Sequence, residues 1–564
     1  MKKSLLALGA VAALGGLGFS GAANAVWVVG DVNNSVAQTL NAAHDTGVGH
    51  ILVTPYFSTT NNTGTLLSVV NTDTQNGKAV KVRFRGAANS DDVFDFTVLM
   101  SPGDVWTASV SQGADGRSRL ITPDNTCVLP NIPNAANTGG LGQPFTTTRL
   151  DQFLDTAAQA AHTQEGYVEW LNMADIPEGT PLYEATKHVN NVAPCTSSVM
   201  NYLMRSDNHL SEEAAASYGL TAPTGQLMGN WTIYNSQNVT SYGGPASAIV
   251  AVDTSGTVPA PAAARLFFAP QIGASSPNFP AYAAGDVVWS GVSQDQFAET
   301  ADPLLTTTPN GGSGTTTGLL PILPFDLPDL STPYVKAHSF AASQSTALSY
   351  ALSAEAVMNE WTAGADGGVD FSTDWVFSQP TRRYHAAINY RTTAAGTGAI
   401  VHNSISDDAF YKAAQVEKQR HATYGDMLCL KTGVVGYKAY NREESTVEVT
   451  FGGGEWSPGV PVGAQPGFCG EVALMQFGEN RTRALNGQLS VNTIKDDSLP
   501  GGGGAGWMNV TLPAGGLPVI GYAANTFNTA VGNMVGNYGD AITHRYKRPT
   551  TAAPVVTPPA PAGE

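Results

Sequence analysis

Thr65-Leu-Leu-Ser-Val-Val-Asn-Thr-Asp-Thr-Gln-Asn-Gly-Lys-Ala-Val-Lys-Val-Arg-Phe-Arg85, continued after a polar turn by Val93-Phe-Asp-Phe-Thr-Val-Leu-Met-Ser-Pro-Gly-Asp-Val-Trp-Thr-Ala-Ser-Val110, is the stretch whose reading decides the fold. Val80, Val82 and Phe84 alternate with Lys81, Arg83 and Arg85, and Phe94, Phe96 and Val98 alternate with Asp95 and Thr97. A period of two is that of a strand with one buried and one wet face. Asn76-Gly77 fits a two-residue hairpin turn, because both residues tolerate positive φ. Ser101-Pro102-Gly103-Asp104 marks the next turn. Arg83 or Arg85 is expected to face Asp95 across the ladder.

Working outward, the chain has 564 residues and a formal charge of −17. It begins Met-Lys-Lys, runs apolar from Leu5 to Phe19 and reaches Ala23-Asn24-Ala25. A basic start, a short apolar run and a small-x-small site are the marks of a secretory signal peptide, expected over residues 1–25. The run is short for a membrane span, so none is expected in the mature chain. Export to the cell surface or the medium follows, with the periplasm as the alternative. So acidic a chain, poor in Lys and Arg, is a poor partner for nucleic acid or anionic lipid.

Four cysteines, Cys127, Cys195, Cys429 and Cys469, allow three pairings. An even, small number in an exported chain reads as disulfides. Cys127–Cys195 and Cys429–Cys469 are the expected pairs, since each lies within one half of the chain. Neither has CxxC spacing, so redox catalysis and zinc binding lack support.

Short strand patterns recur in both halves. Gln164 to Met173 and Gln226 to Asn235 read as strands, Ala246 to Val252 as another, and more follow Asp374. Pro55 pushes its strand toward an edge or a bulge, because it has no N–H for a ladder. Residues 303–318, rich in Thr and Gly, read as a linker or loop. The fold class expected is therefore mainly β: two antiparallel β-sandwich-like domains with a few short helices. The N-terminal β-rich domain spans 26–302 and the C-terminal one 319–547. A helix is expected near 343–361, where Leu348, Leu352, Ala356 and Val357 or Met358 recur at helical spacing. Asp407 to Tyr424 reads as a solvated helix or a loop. A Pro/Ala tail, 548–564, is expected to be disordered.

The search for chemistry returns mostly absences. There is no Gly-x-Ser-x-Gly elbow, no His-Glu-x-x-His and no phosphate-binding Gly-rich loop. Asp91, Asp92 and Asp95, or Asp366, Asp370 and Asp374, are oxygen-rich clusters of the kind Ca²⁺ takes, though turn-forming and solvating roles explain them as well. No other cofactor is expected. Trp375, Phe377, Arg382, Arg383, Tyr384 and His385 mix rings and bases as a carbohydrate-binding strip does, while the alternation of Trp375 and Phe377 equally suits a core.

Val-Arg-Phe-Arg with Asp-Val-Phe-Asp-Phe-Thr-Val-Leu-Met-Ser-Pro-Gly-Asp, Thr-Asp-Trp-Val-Phe-Ser-Gln-Pro-Thr-Arg-Arg-Tyr, and Asn-Tyr-Gly-Asp-Ala-Ile-Thr-His-Arg-Tyr together resemble segments of a group of exported proteobacterial cell-surface proteins of surface-layer type. The resemblance covers about a quarter of the chain by our reading. It implies an envelope location and brings no catalytic residue with it.

The leading expectation is thus a non-enzymatic secreted surface protein with a structural or interaction role, self-associating or meeting other envelope components. Lys81, Arg83 and Arg85 form a basic stripe on an acidic chain and are the expected point of self-contact. The alternatives are a carbohydrate-binding or adhesive protein, with Trp375 on its surface, and an extracellular hydrolase with an unfamiliar site. An outer-membrane barrel is disfavoured, because the charged faces do not suit a lipid-facing band.

Overall fold

The computed structural model describes residues 47–129, 153–196, 223–252, 348–366, 369–389, 410–421, 424–431, 433–450, 468–479, 483–531 and 534–549, with short pieces at 28–29, 39–42, 132, 142–147, 150–151, 198–199, 219–221 and 399–402. The expected signal peptide, the 303–318 linker and the tail beyond residue 549 lie outside the described residues. Among the described residues the fold is mainly β, in sheets whose pairs are antiparallel but for Val472–Phe477 with Val491–Ile494, and with few and short helices.

The opening stretch divides between two sheets. Strands Gly77–Gly86 and Asp92–Met100 pair in an eight-stranded sheet, with Glu165–Ile176 and then Ile51–Ser58 beyond Gly77–Gly86. Strands Thr63–Asn71 and Val105–Gln112 pair in a six-stranded sheet with Leu227–Asn235. Asn76-Gly77 is therefore not a hairpin turn. Residues 72–76 carry the chain from one sheet to the other. Their bend is set by Asp73, whose Oδ1 accepts from the Gln75 and Asn76 amides at 2.8 and 3.0 Å. This local side-chain capture competes with a two-residue turn.

The two sheets face each other as a sandwich. Trp106 of one lies 6.0 Å from Trp170 of the other, and Phe96 lies 5.5 Å from Trp106. Val80, Val82 and Phe84 are buried in this core, as their alternation requires. Pro55 sits at a bulge, where the register with Glu165–Ile176 shifts between Gly166 and Val168. The strand around Pro55 lies inside the sheet, not at its edge.

The second half is built on a ten-stranded sheet. Its strand Val369–Ser378 pairs along one side with Ile520–Val531, and along the other first with Ala356–Asp366 and then with Val472–Phe477. The fork encloses a second core around Trp361, Trp375, Phe377 and Phe477. The expected helix over 343–361 is corrected: residues 348–352 are helical, but Ser353–Ala354 and Ala356–Asp366 are strands. Val357, Trp361 and Ala363 are buried and Glu360 is exposed, so strand alternation takes over where the helical spacing ends. Val416–His421 is also a strand, in a hairpin with Gly425–Leu430, where a solvated helix or a loop was expected. Arg548, expected to begin the tail, donates to the carbonyls of Leu352 and Ser353 at 2.6 and 2.8 Å.

The halves are not independent. Their first core includes Val376, Leu474, Ile520 and Tyr522 of the second half beside the sandwich residues. Trp231 packs on Tyr522 with ring centroids 4.4 Å apart. Cys127 is bonded to Cys195 and Cys429 to Cys469.

Candidate functional site

Lys81, Arg83 and Arg85 do not form a wet stripe. All three are at most 3% exposed. Lys81 Nζ lies 2.8 Å from Asp95, and Arg83 and Arg85 place their Nε atoms 3.2 and 3.4 Å from the same Glu169 oxygen. Glu169 is on strand Glu165–Ile176, directly opposite Arg83 in the register, and Arg83 in turn is opposite Asp95. Burial removes the stripe from any surface that a second copy of the chain can reach, which corrects the self-contact expectation. A period of two reports that two faces differ. It does not report that the polar face is wet, and here its charges are paired underneath other elements.

The seam continues into the second half. The turn Ala87–Asp91 follows strand Gly77–Gly86 and is clasped by Arg382 and Arg383 of a short 3₁₀ helix, Arg382–Tyr384. Arg383 Nη1 donates to the Asn89 carbonyl at 2.9 Å and lies 3.3 Å from Asp91 Oδ1. Arg382 Nη1 donates to the carbonyls of Leu428 and Gly470, both at 2.7 Å, and its Nε lies 3.5 Å from Glu471. Leu428 and Gly470 adjoin the bonded Cys429 and Cys469, so one guanidinium holds both sides of that disulfide. The turn answers with its own amides. Asn89 donates to the Asp426 carbonyl at 2.8 Å and accepts from the Leu428 N–H at 3.2 Å, while the Ala87 carbonyl accepts from Glu471 N at 2.7 Å.

Burial governs the electrostatics here. Desolvation raises the Glu471 carboxyl to about 7, against the opposing pull of Arg382 and Arg383. A second buried acid, Asp374, rises to about 6 by desolvation, opposed by Arg483 and by the Leu485 amide that donates to it at 2.9 Å. Glu165, raised by burial, accepts from Tyr56 Oη at 2.5 Å and from the Gln488 and Leu489 amides at 3.0 Å each, a second polar link between the halves.

The expected calcium clusters are not assembled as such. Asp91, Asp92 and Asp95 stand against Arg383, Arg85 and Lys81 respectively. Asp374 turns to Leu485. Among the described residues no group of three or more His, Cys, Asp or Glu side chains is placed to hold a metal ion. The aromatic strip is likewise interior: Trp375 and Phe377 are core, and Arg382, Arg383 and His385 are at most 2% exposed. This removes Trp375 as a surface carbohydrate platform.

One constellation was invisible to sequence reading. Ser349 Oγ lies 2.7 Å from His385 Nε2 and 2.9 Å from Thr381 Oγ1. A hydroxyl beside an imidazole is the start of nucleophile activation. Yet Ser349 and Thr381 are fully buried, His385 is held neutral by burial with its pKa lowered to about 3, and His385 stands against the rings of Phe410 and Tyr411. Ser349 and His385 are 36 residues apart, and no spacing rule flags such a pair. Glu169 and Glu471 were also missed, since single acids in strands carry no motif.

No family model matches the chain, and it has no match among curated proteins or solved structures.

Proposed function

We propose that the chain is an exported cell-surface protein with a structural role, assembling with copies of itself or with other envelope components as a surface layer. One observation carries the reading. The residues that would supply chemistry at an open site are instead committed to internal cross-links: Arg83, Arg85, Glu169, Arg382, Arg383 and Glu471 lie buried, and the Arg382–Arg383 clasp ties the two halves together. Two disulfides suit an oxidising compartment outside the cytoplasm. No helix among the described residues is long and apolar enough to cross a membrane.

The test is to fractionate native cells, image their surface by electron microscopy, and follow the purified chain by sedimentation at rising concentration. Recovery with the envelope and formation of ordered sheets or filaments is the expected result. A cytoplasmic location, or a monomer at every concentration beside a featureless cell surface, overturns it.

A further inference from the structure

Away from the seam, a second buried cluster has a different character. Lys78 is the second residue of strand Gly77–Gly86, and Asp175 is the last but one of Glu165–Ile176. The antiparallel register sets them directly opposite each other. Lys78 Nζ lies 2.6 Å from Asp175 Oδ1 and 3.0 Å from Asp73 Oδ2, and the three side chains are 0, 2 and 7% exposed. Thr224 closes the group. Its hydroxyl donates to Asp175 Oδ2 at 2.8 Å and contacts Lys78 Nζ, and its amide donates to Asp175 Oδ1 at 3.2 Å. Asp73 is fixed by the turn that joins the two sheets, accepting from Gln75, Asn76 and Lys78. His50 is buried beside the cluster and stays neutral.

We infer that Lys78 and Asp175 condense without help from another protein into an isopeptide bond, with Asp73 as the proton carrier. The ingredients are an amine withdrawn from water, a carboxyl group held against it, and a second carboxylate at hydrogen-bond distance from the same nitrogen. Fixing two reactants at contact distance supplies the proximity that a bimolecular condensation lacks. A desolvated lysine is a nucleophile once it sheds its proton.

The environments of the two acids differ in the sense the reaction needs. Burial raises Asp175, against the opposing effect of Lys78, which favours the neutral acid that an amine can attack. Asp73 is also pushed up by burial, but the amides of Gln75 and Asn76 and the ammonium of Lys78 outweigh this and bring it to about 2, so it stays a carboxylate. Carboxyl groups pushed apart in this way take different roles.

The step balances within the cluster. Lys78 passes one ammonium proton to Asp175, leaving a free amine against a carboxylic acid. Nζ attacks Cγ of Asp175. Asp73 accepts a second proton from Nζ and returns it to the departing hydroxyl. The C–N bond forms, the C–OH bond breaks, and one water leaves. Ammonium and carboxylate become a neutral amide, with no oxidant, reductant or co-reactant.

Mass spectrometry of the purified, reduced and denatured chain tests this. The expected result is a chain one water lighter than its sequence requires. Trypsin should fail to cut after Lys78 and should release a branched peptide joining the Lys78 and Asp175 segments. Asp73→Asn and Asp175→Ala should each show the full mass calculated for that variant. A wild-type chain of unmodified mass, cut normally after Lys78, overturns the proposal whether or not the variants fold. A branched peptide that persists in Asp73→Asn overturns the role given to Asp73.

Discussion

Arg383 of the second half donates to the backbone of Asn89 and stands 3.3 Å from the carboxylate of Asp91, in a turn of the first half 292 positions earlier in the chain. Both charged side chains are 1% exposed. A buried charge pair adds little over an apolar pair of the same shape, but removing one partner strands the other without water. Arg383→Ala should therefore destabilise the protein by about 3–5 kcal/mol. Arg383→Lys should recover only part of this, because Nη1 makes both contacts and the shorter lysine side chain has to bring its ammonium to the same point. Urea unfolding followed by fluorescence checks the prediction. A loss below about 1 kcal/mol, the scale of an exposed pair, would contradict it.

Arg382 couples this clasp to a disulfide. It donates to the carbonyls of Leu428 and Gly470, the neighbours of Cys429 and Cys469. A bond closing 40 residues contributes about 4 kcal/mol in the chain-entropy picture. Replacing both cysteines by Ala should cost on that order. The effect should not add to that of Arg382→Ala, because the guanidinium geometry depends on the bridged strands. A double-mutant cycle measured by denaturation should give a coupling of at least about 0.5 kcal/mol. Strict additivity would show that clasp and bridge act separately.

How far this was legible in the sequence follows from the range of each interaction. The strands around Val82 and Phe96 read plainly, because alternation is local. The fate of Arg83 and Arg85 was not local: their common partner Glu169 lies 84 positions beyond Arg85. Nothing in a basic stripe says whether water or a carboxylate will face it. The 343–361 segment failed for another reason. Leu348 and Leu352 are helical, Val357 and Trp361 are four apart within a strand, and a spacing of four is common to both patterns. The alternation of Trp375 and Phe377 left a core and a surface strip both open, and their burial decides for the core, whereas their neighbours Arg382 and His385 gave no sign of burial.

Two tryptophans separate core from surface. Trp361 is fully buried and stacks on Phe477 at 6.0 Å, while Trp507 is 41% exposed and stacks on Tyr440 at 4.4 Å. Trp361→Ala should cost about 3–5 kcal/mol through the cavity left in the second core. Trp507→Ala removes one ring of a cross-strand pair, worth about 0.5–1.5 kcal/mol beyond its buried area. Thermal unfolding of the two variants should rank them clearly. Equal losses would mean that the outer face around Trp507 is covered in solution.

His544 and Glu471 should bend the stability–pH curve in opposite senses. His544 is buried and neutral, with its pKa lowered to about 3 by desolvation, and its ring nitrogens face Asn359 Nδ2 and the Val376 carbonyl, each at 2.9 Å. The Asn359 Nδ2 can only donate and the carbonyl can only accept, so Nε2 carries the proton. Below pH 6.5 the unfolded chain binds a proton at this histidine that the folded chain refuses, so stability falls as pH drops from 6.5 toward 3. Glu471, raised to about 7, works the other way. Between pH 4.5 and 7 the folded chain keeps a proton that the unfolded chain has released, so this contribution is complete below 4.5 and is lost as pH rises to 7. His50, His162 and His385 are lowered to about 3, 4 and 3 and side with His544, whereas Asp374, at about 6, sides with Glu471. These six groups pull in both directions, and Glu165 and Asp175, raised by burial, side with the two acids, so the signal is the difference between each variant and the wild type. Against wild type, His544→Gln should lose less stability as pH falls below 6.5, and Glu471→Gln should lose less as pH rises from 4.5 to 7. Calorimetric melting of wild type and both variants at half-unit steps decides this. Parallel curves for all three would show that neither group changes protonation on unfolding.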